Sequence, residues 1–330
     1  MSEKRDWLKR HADHLRRALI LEPRGHADMY GAILTEPVSP GSHAGILFMH
    51  NAGYSEMCGH GIIAATAIAL GRGLIMPGGD GASIVYDTVA GTVRATARLN
   101  AHGYASVPAG QREACGASAS WGEGPPESEE CRDVLSVSYV NVPSFVLHGG
   151  LVVKLGPRQV RVDIAYGGEF YAIVDGESAA LSIDGGHLAE LRRVGMDIIR
   201  AVDQSQTIVH PLNPAVRGIA GTIFTGPPSR EDADLRNATV FADGEVDRSP
   251  CGTGTAAVMA VIDAMGLLPA QRPFVHESLI GSRFTGRIVG RTTVGDYDAI
   301  LPEIEGSAWI TGEHSFILQD DDPFVNGFRM

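Results

Sequence analysis

One motif occurs twice in the chain, once in each half. The segment EMCGHGIIAATAIA at 56–69 and the segment SPCGTGTAAVMAVI at 249–262 both read Cys-Gly-x-Gly, then a run of small and apolar residues. A run that is apolar nearly all round predicts a buried helix, over 59–70 in the first copy and 252–265 in the second. Gly266 and Pro269 close the second one. A chain of 330 residues is long enough for two domains with their own cores. The repeated word predicts that these domains are alike and related by a pseudo-twofold axis. Cys58 and Cys251 then face one another across the cleft.

The surrounding sequence is strand-rich. The spacing of Trp7, Leu8, His11, Leu15, Ala18 and Leu19 predicts one amphipathic helix over 4–20. AILTEP and HAGILFMHN read as strands around a PVSPGS turn, and short strands fill 83–108. VLSVSYVNVP, FVLHGGLVVKL, QVRVDIAY and FYAIVD follow as strands, then a helix near 187–201, then GIAGTIFTG and NATVFADG. Between Gln111 and Glu130 the composition shifts to Gly, Ala, Ser, Pro and Glu, the signature of an excursion or linker. Strands with well-separated buried helices make an α+β architecture.

A cysteine just before a helix lies among unpaired N–H groups at the positive end of the helix dipole. Both favour the thiolate, which predicts a lowered thiol pKa at both positions. The glycines that follow let a ligand approach the backbone, whose N–H groups suit a small carboxylate. Two such sites facing each other place one sulfur on each face of an α-carbon. One thiolate removes the α-proton while the opposite thiol supplies a proton to the other face, and the two titrate together. The N–H donors stabilise the charge that develops on the carboxylate, and no metal or cofactor is required. A single Cys-Gly-x-Gly is an ordinary small residue before a turn. Two copies in equivalent places point to chemistry, whereas Cys115 and Cys131 have no such context.

Composition narrows the partners. With 27 basic against 39 acidic residues the formal net charge is -12, which repels phosphate backbones and speaks against nucleic acid. The longest apolar stretch, Gly61 to Leu70, is about ten residues where a membrane span needs roughly twenty. The charged opening MSEKRDWLKRHADHLRR has no signal-peptide core, so a cytoplasmic chain with reduced cysteines is expected. No cysteine has metal-ligand spacing, which disfavours zinc. A pyridoxal-phosphate enzyme needs a Schiff-base lysine, and Lys4, Lys9 and Lys154 all sit in segments expected to face solvent.

The words MCGHG at 57–61 and DRSPCGTGTAA at 247–257 resemble the two active-site signatures of the proline racemase family. The likeness continues through EPRGHADMYGA (22–32), DIAYGGEFYAIVD (163–175), HESLIGSRFTG (276–286) and the tail from Ala308 to Phe328. It implies a diaminopimelate-epimerase-like fold of two domains, each a barrel-like sheet around a central helix. The domains are expected at 1–132 plus 311–330 and at 133–310, the last residues returning to the first. By the same resemblance Cys58 and Cys251 are the acid/base pair, and Gly59, His60, Gly252 and Thr253 cradle the carboxylate. His60 and Asp247 meet the substrate ammonium, and Phe241 lines the pocket as an aromatic does in proline racemases. Without it, His60 and Asp247 read as helix-start and turn-capping residues and Phe241 as a core residue. The resemblance implies a small-molecule substrate, proline or a hydroxyproline, and leaves a homodimer open.

Two readings of the activity stand side by side. Both cysteines argue for racemisation or epimerisation, while the words at 22–32 and 49–60 look closest to trans-3-hydroxy-L-proline dehydratases. Dehydratases often carry Ser or Thr in place of one cysteine. A diaminopimelate epimerase, and a non-catalytic amino-acid-binding member of the fold, are the remaining alternatives. Family members usually begin with a strand carrying an HTxGEP-like word. This chain begins at its first helix, so either its start is trimmed or misassigned or its first domain lacks an edge strand.

Overall fold

A computed structural model describes residues 1–77, 82–100, 133–269 and 271–329. The chain opens with α1 (Ser2–His11) and α2 (Asp13–Ile20), two helices rather than the single one expected over 4–20. The break falls at Ala12, whose φ of -135° leaves the helical region. Its physical cause is Arg16, which binds Asp13 at 2.7 Å and the carbonyls of His50 and Asn51 at 2.8 Å each. These bonds turn α2 inward to bury Ala18 and Ile20, while α1 buries nothing.

Then come β1 (Tyr30–Thr35), β2 (Ala44–His50), β3 (Tyr54–Ser55), α3 (Gly59–Gly71), β4 (Ser83–Thr88) and β5 (Gly91–Leu99). The second half holds β6 (Val134–Val140), β7 (Ser144–Leu155), β8 (Arg158–Tyr166), β9 (Phe170–Asp175) and α4 (Leu188–Ser205). It continues with a small hairpin, β10 (Val209–His210) and β11 (Asn213–Arg217), and with β12 (Gly221–Gly226) and β13 (Leu235–Phe241). It ends with α5 (Gly252–Ala264), β14 (Phe274–Glu277), β15 (Arg283–Val294) and β16 (Tyr297–Gly306). The expected strand at 105–108, the 111–130 excursion, Cys115 and Cys131 lie outside the described residues.

Among the described residues fourteen strands form one continuous sheet. From β16 it runs through β15, β14, β13, β12, β9, β8 and β7, and β7 pairs back onto β16 to close an eight-stranded barrel. Among the described residues the strands of the first half form the run β1-β2-β4-β5-β6, joined to the barrel where β6 pairs with β16. Alternation along the barrel strands sends successive side chains to opposite faces. One face carries Ala165, Tyr171, Ile173 and Ile223 to a core shared with α3 and α5. The other carries Ile164, Ala172, Val174 and Phe224 to a second core with α4. The first core contains both Cys58 and Cys251, so the two halves are buried against each other where the repeated words meet. The last residues lie against the start of the chain. Phe328 N–H donates to the Glu22 carbonyl at 2.9 Å, and Arg24 pairs with Asp322 at 3.0 Å. Among the described residues no helix is long and apolar enough to cross a membrane.

Candidate active site

α3 and α5 are each thirteen residues long, and each starts at a Cys-Gly-x-Gly word. The glycines explain how closely the two helix starts approach. A Cβ added at Gly59 would lie 2.1 Å from the Tyr139 hydroxyl and 2.9 Å from Gly252 Cα; one at Gly252 would lie 2.2 Å from that hydroxyl and 2.9 Å from Gly59 Cα. The second glycine of each word makes room for a sulfur. A Cβ at Gly61 would meet Cys58 Sγ at 3.2 Å, and one at Gly254 would meet Cys251 Sγ at 3.1 Å. Any larger residue at these four places would separate the helices or displace the thiols.

Both cysteines are buried and free, and both line one cavity of about 400 Å³. Its walls include Gly59, His60, Gly252, Thr253, Asp247 and Phe241, so the structure brings every residue singled out from the sequence into one place. The first turns of two helices leave N–H groups without intrahelical partners there. His60 Nδ1 stands 3.4 Å from Asp247 Oδ2, across the boundary between the halves. Asp247 Oδ1 accepts the Ser249 N–H at 2.8 Å, so Asp247 caps the turn and faces the cavity at once. Among the described residues its buried Oδ2 has no polar partner beyond His60. Burial disfavours the His60 imidazolium, but the charges of Cys58 and Asp247, with hydrogen bonds to both, outweigh it and raise its pKa well above the ordinary range. Burial also pushes the Asp247 carboxyl up, yet His60 and the Ser249 bonds hold it below the usual carboxylate range.

The Cys251 thiol departs from expectation. Burial, followed by the charge of Asp247, pushes its pKa up rather than down. Tyr171 at 3.6 Å, Thr253 Oγ1 at 3.6 Å and the Gly254 N–H at 3.3 Å oppose that rise without reversing it. The helix-start argument weighed the dipole and omitted the cost of desolvating a thiolate among apolar residues.

Three wall residues escaped the sequence reading. Tyr30 packs edge-on to His60, with ring centroids 4.9 Å apart, and lies 6.1 Å from the Phe241 ring. Tyr171 donates to or accepts from Thr253 Oγ1 at 2.8 Å. Glu169 lines the same cavity. The signal for the last two was the paired glycine before them. A Cβ at Gly167 would lie 2.1 Å from the Thr253 carbonyl oxygen, and Gly168 has a φ of +116°. Only glycines let this turn lie against the first turn of α5. At the outer edge His50 stacks on Tyr30 at 5.3 Å, and its Nδ1 is 3.8 Å from Asp243 and 3.9 Å from Glu245. Burial, then Asp243, raises Glu245 to about 8.

The repeated Cys-Gly-x-Gly helices, meeting beside a closed eight-stranded barrel, define a protein of the diaminopimelate-epimerase-like fold. The family model described as proline racemase matches residues 1–113 and 127–329, and the chain belongs to that family. It is 38% identical over 328 residues to a trans-3-hydroxy-L-proline dehydratase of Bacillus thuringiensis subsp. konkukian, covering 99% of this chain and 89% of that relative. It is 39% identical over 326 residues to a 3-hydroxyproline 2-epimerase of Burkholderia multivorans, covering 98% of this chain and 88% of the relative. A crystal structure of a hydroxyproline epimerase from Agrobacterium vitis with bound trans-4-OH-L-proline superposes with a TM-score of 0.79 at 29% identity, covering 99% of this chain and 86% of that one. The chain is thus an enzyme of a family whose members include isomerases and lyases.

Proposed function

We propose that this enzyme moves the α-proton of a proline-type ring between Cys58 and Cys251 and so inverts the α-carbon. The observation that carries this reading is the pair of cysteines at two helix starts lining one cavity. The substrate carboxylate sits at the N–H groups of Gly59, His60, Gly252 and Thr253, and its ammonium meets Asp247 Oδ2 beside His60. One sulfur then flanks each face of the α-carbon. The thiolate takes the proton, the N–H groups stabilise the charge passed to the carboxylate, and the opposite thiol returns a proton. All of these groups belong to the chain itself.

The ring is 3-hydroxyproline on this reading, because two similar relatives are named for that substrate. A second reading is dehydration of trans-3-hydroxy-L-proline, favoured by the half-buried Glu169 carboxyl in the same cavity. Incubation in D2O with L-proline, trans-4-hydroxy-L-proline and trans-3-hydroxy-L-proline, followed by proton NMR, tests both. Loss of the α-proton signal with a new diastereomer or the D-product identifies the isomerase and its substrate. An unsaturated ring product identifies the lyase. An unchanged α-proton with all three, from folded protein, removes the proposal.

A further inference from the structure

Glu169 is the group in the cavity to which the two-cysteine chemistry gives no part. It follows the Gly167–Gly168 turn that lies against α5, stands just before β9, and lines the cavity together with Tyr171 and both cysteines. Tyr171, two residues on, reaches Thr253 and Cys251 in the same cavity.

The other acids of the cavity are differently disposed. Asp247 is held as a carboxylate beside His60. Glu56 is half-exposed and paired with Arg5 at 3.4 Å. Asp243 stands at the edge beside His50. Burial, and then the charge of Glu56, raises Glu169 to about 7. It therefore carries a proton for much of the time near neutrality, in a place where a carboxylic acid can donate it.

The α-carbon of a bound proline ring has four substituents. The carboxylate goes to the helix starts, the nitrogen to Asp247, and the proton to a sulfur. The remaining direction is C3, and Glu169, with Tyr30 and Phe241, is among the wall residues that the other three substituents leave unengaged.

We propose that Glu169 is the acid that protonates a hydroxyl leaving C3 of the ring, which makes the cavity specific for 3-hydroxylated prolines. The inference rests on the second reading proposed above, dehydration after a cysteine has taken the α-proton. Cysteine thiolate takes the α-proton, and the C–H electron pair becomes the double bond between the α-carbon and C3. The C3–O pair departs with the oxygen, which takes the Glu169 proton and leaves as water. The products are water and an unsaturated ring acid. The cysteine ends as thiol and Glu169 as carboxylate, with no oxidant or reductant consumed.

The test follows trans-3-hydroxy-L-proline in D2O with the native enzyme, Glu169→Gln and Glu169→Asp, each shown folded by its melting curve. The quantity read is the partition between α-deuteration and loss of the hydroxyl. With Glu169→Gln the partition is expected to move at least about 100-fold away from elimination, with part of it recovered in Glu169→Asp. The assignment is overturned by an unchanged partition in Glu169→Gln, or by a native enzyme that deuterates the α-carbon and never releases the hydroxyl. A native enzyme that leaves every α-proton in place is a different failure. It removes the cysteine chemistry itself, and the role of Glu169 with it.

Discussion

Cys58 begins α3 on extended backbone, at φ -144°, and its sulfur caps nothing. Cys251 begins α5 at φ +62°, a left-handed conformation rare for a residue with a side chain, and its sulfur accepts the Gly254 N–H. Such a backbone costs on the order of 1–3 kcal/mol and persists only where its surroundings hold it. Around Cys251 those surroundings are Tyr171, Thr253 and a Ser249 hydroxyl that accepts the Cys251 N–H at 3.1 Å. Around Cys58 the dominant neighbour is His60, kept protonated by the charges about it. Repetition of a motif thus fixes where a thiol stands and leaves open which form it takes. Among apolar residues the Cys251 thiol is favoured over its thiolate. On the proposed two-cysteine chemistry Cys251 then serves as the acid and Cys58 as the base.

The sharpest way to break that comparison is to remove each sulfur in turn. Cys58→Ser and Cys251→Ser should each reduce inversion of the α-carbon by about 1000-fold, within the range for loss of one acid or base. The two should then part company on trans-3-hydroxy-L-proline. Elimination needs one base at the α-carbon, so Cys251→Ser should retain it and Cys58→Ser should lose it. NMR time courses read both quantities. Elimination surviving only in Cys58→Ser would exchange the roles assigned to the two halves.

A smaller effect isolates the shell around one sulfur. Tyr171→Phe removes a hydroxyl that holds the Cys251 thiol down against burial. Its pKa should rise further, so the alkaline limb of the rate profile should move to higher pH. Turnover of the inversion at neutral pH should fall about 10-fold, the worth of one hydrogen bond to an ionising group. A profile that keeps its shape while the rate falls would place Tyr171 in packing alone.

What was readable in advance followed from short-range rules. The repeated word located both helices and both cysteines because helix starts, glycines and apolar runs are local signals. Asp247 and Phe241 reached the cavity because they sit at fixed offsets from Cys251 on one continuous strand and turn. Tyr30 and Glu169 could not be ranked that way. Each becomes a wall residue only when a distant strand brings it to the helix starts. The closure of the barrel by β7 on β16 is likewise a pairing between segments far apart in sequence. The rise of the Cys251 thiol depends on how completely the other half buries it, which no local pattern records. The break at Ala12 belongs to the same class, since it is Arg16 reaching the carbonyls at 50 and 51 that turns the helix.

The smallest effect concerns the residue on the axis between the halves. Tyr139 is 1% exposed and its hydroxyl points between the two helix starts, yet that oxygen has no hydrogen-bond partner. A buried hydroxyl left unpartnered costs about 1–3 kcal/mol, because it has given up water for nothing. Tyr139→Phe keeps the ring that spaces Gly59 from Gly252 and deletes the unpartnered atom. It should therefore stabilise the protein by about 1 kcal/mol. For a chain of this size that raises the melting temperature by about 2 °C. A lower melting temperature would carry the opposite lesson. The hydroxyl would then be tying the two helix starts together, and the halves would be coupled through Tyr139 as well as through His60 and Asp247.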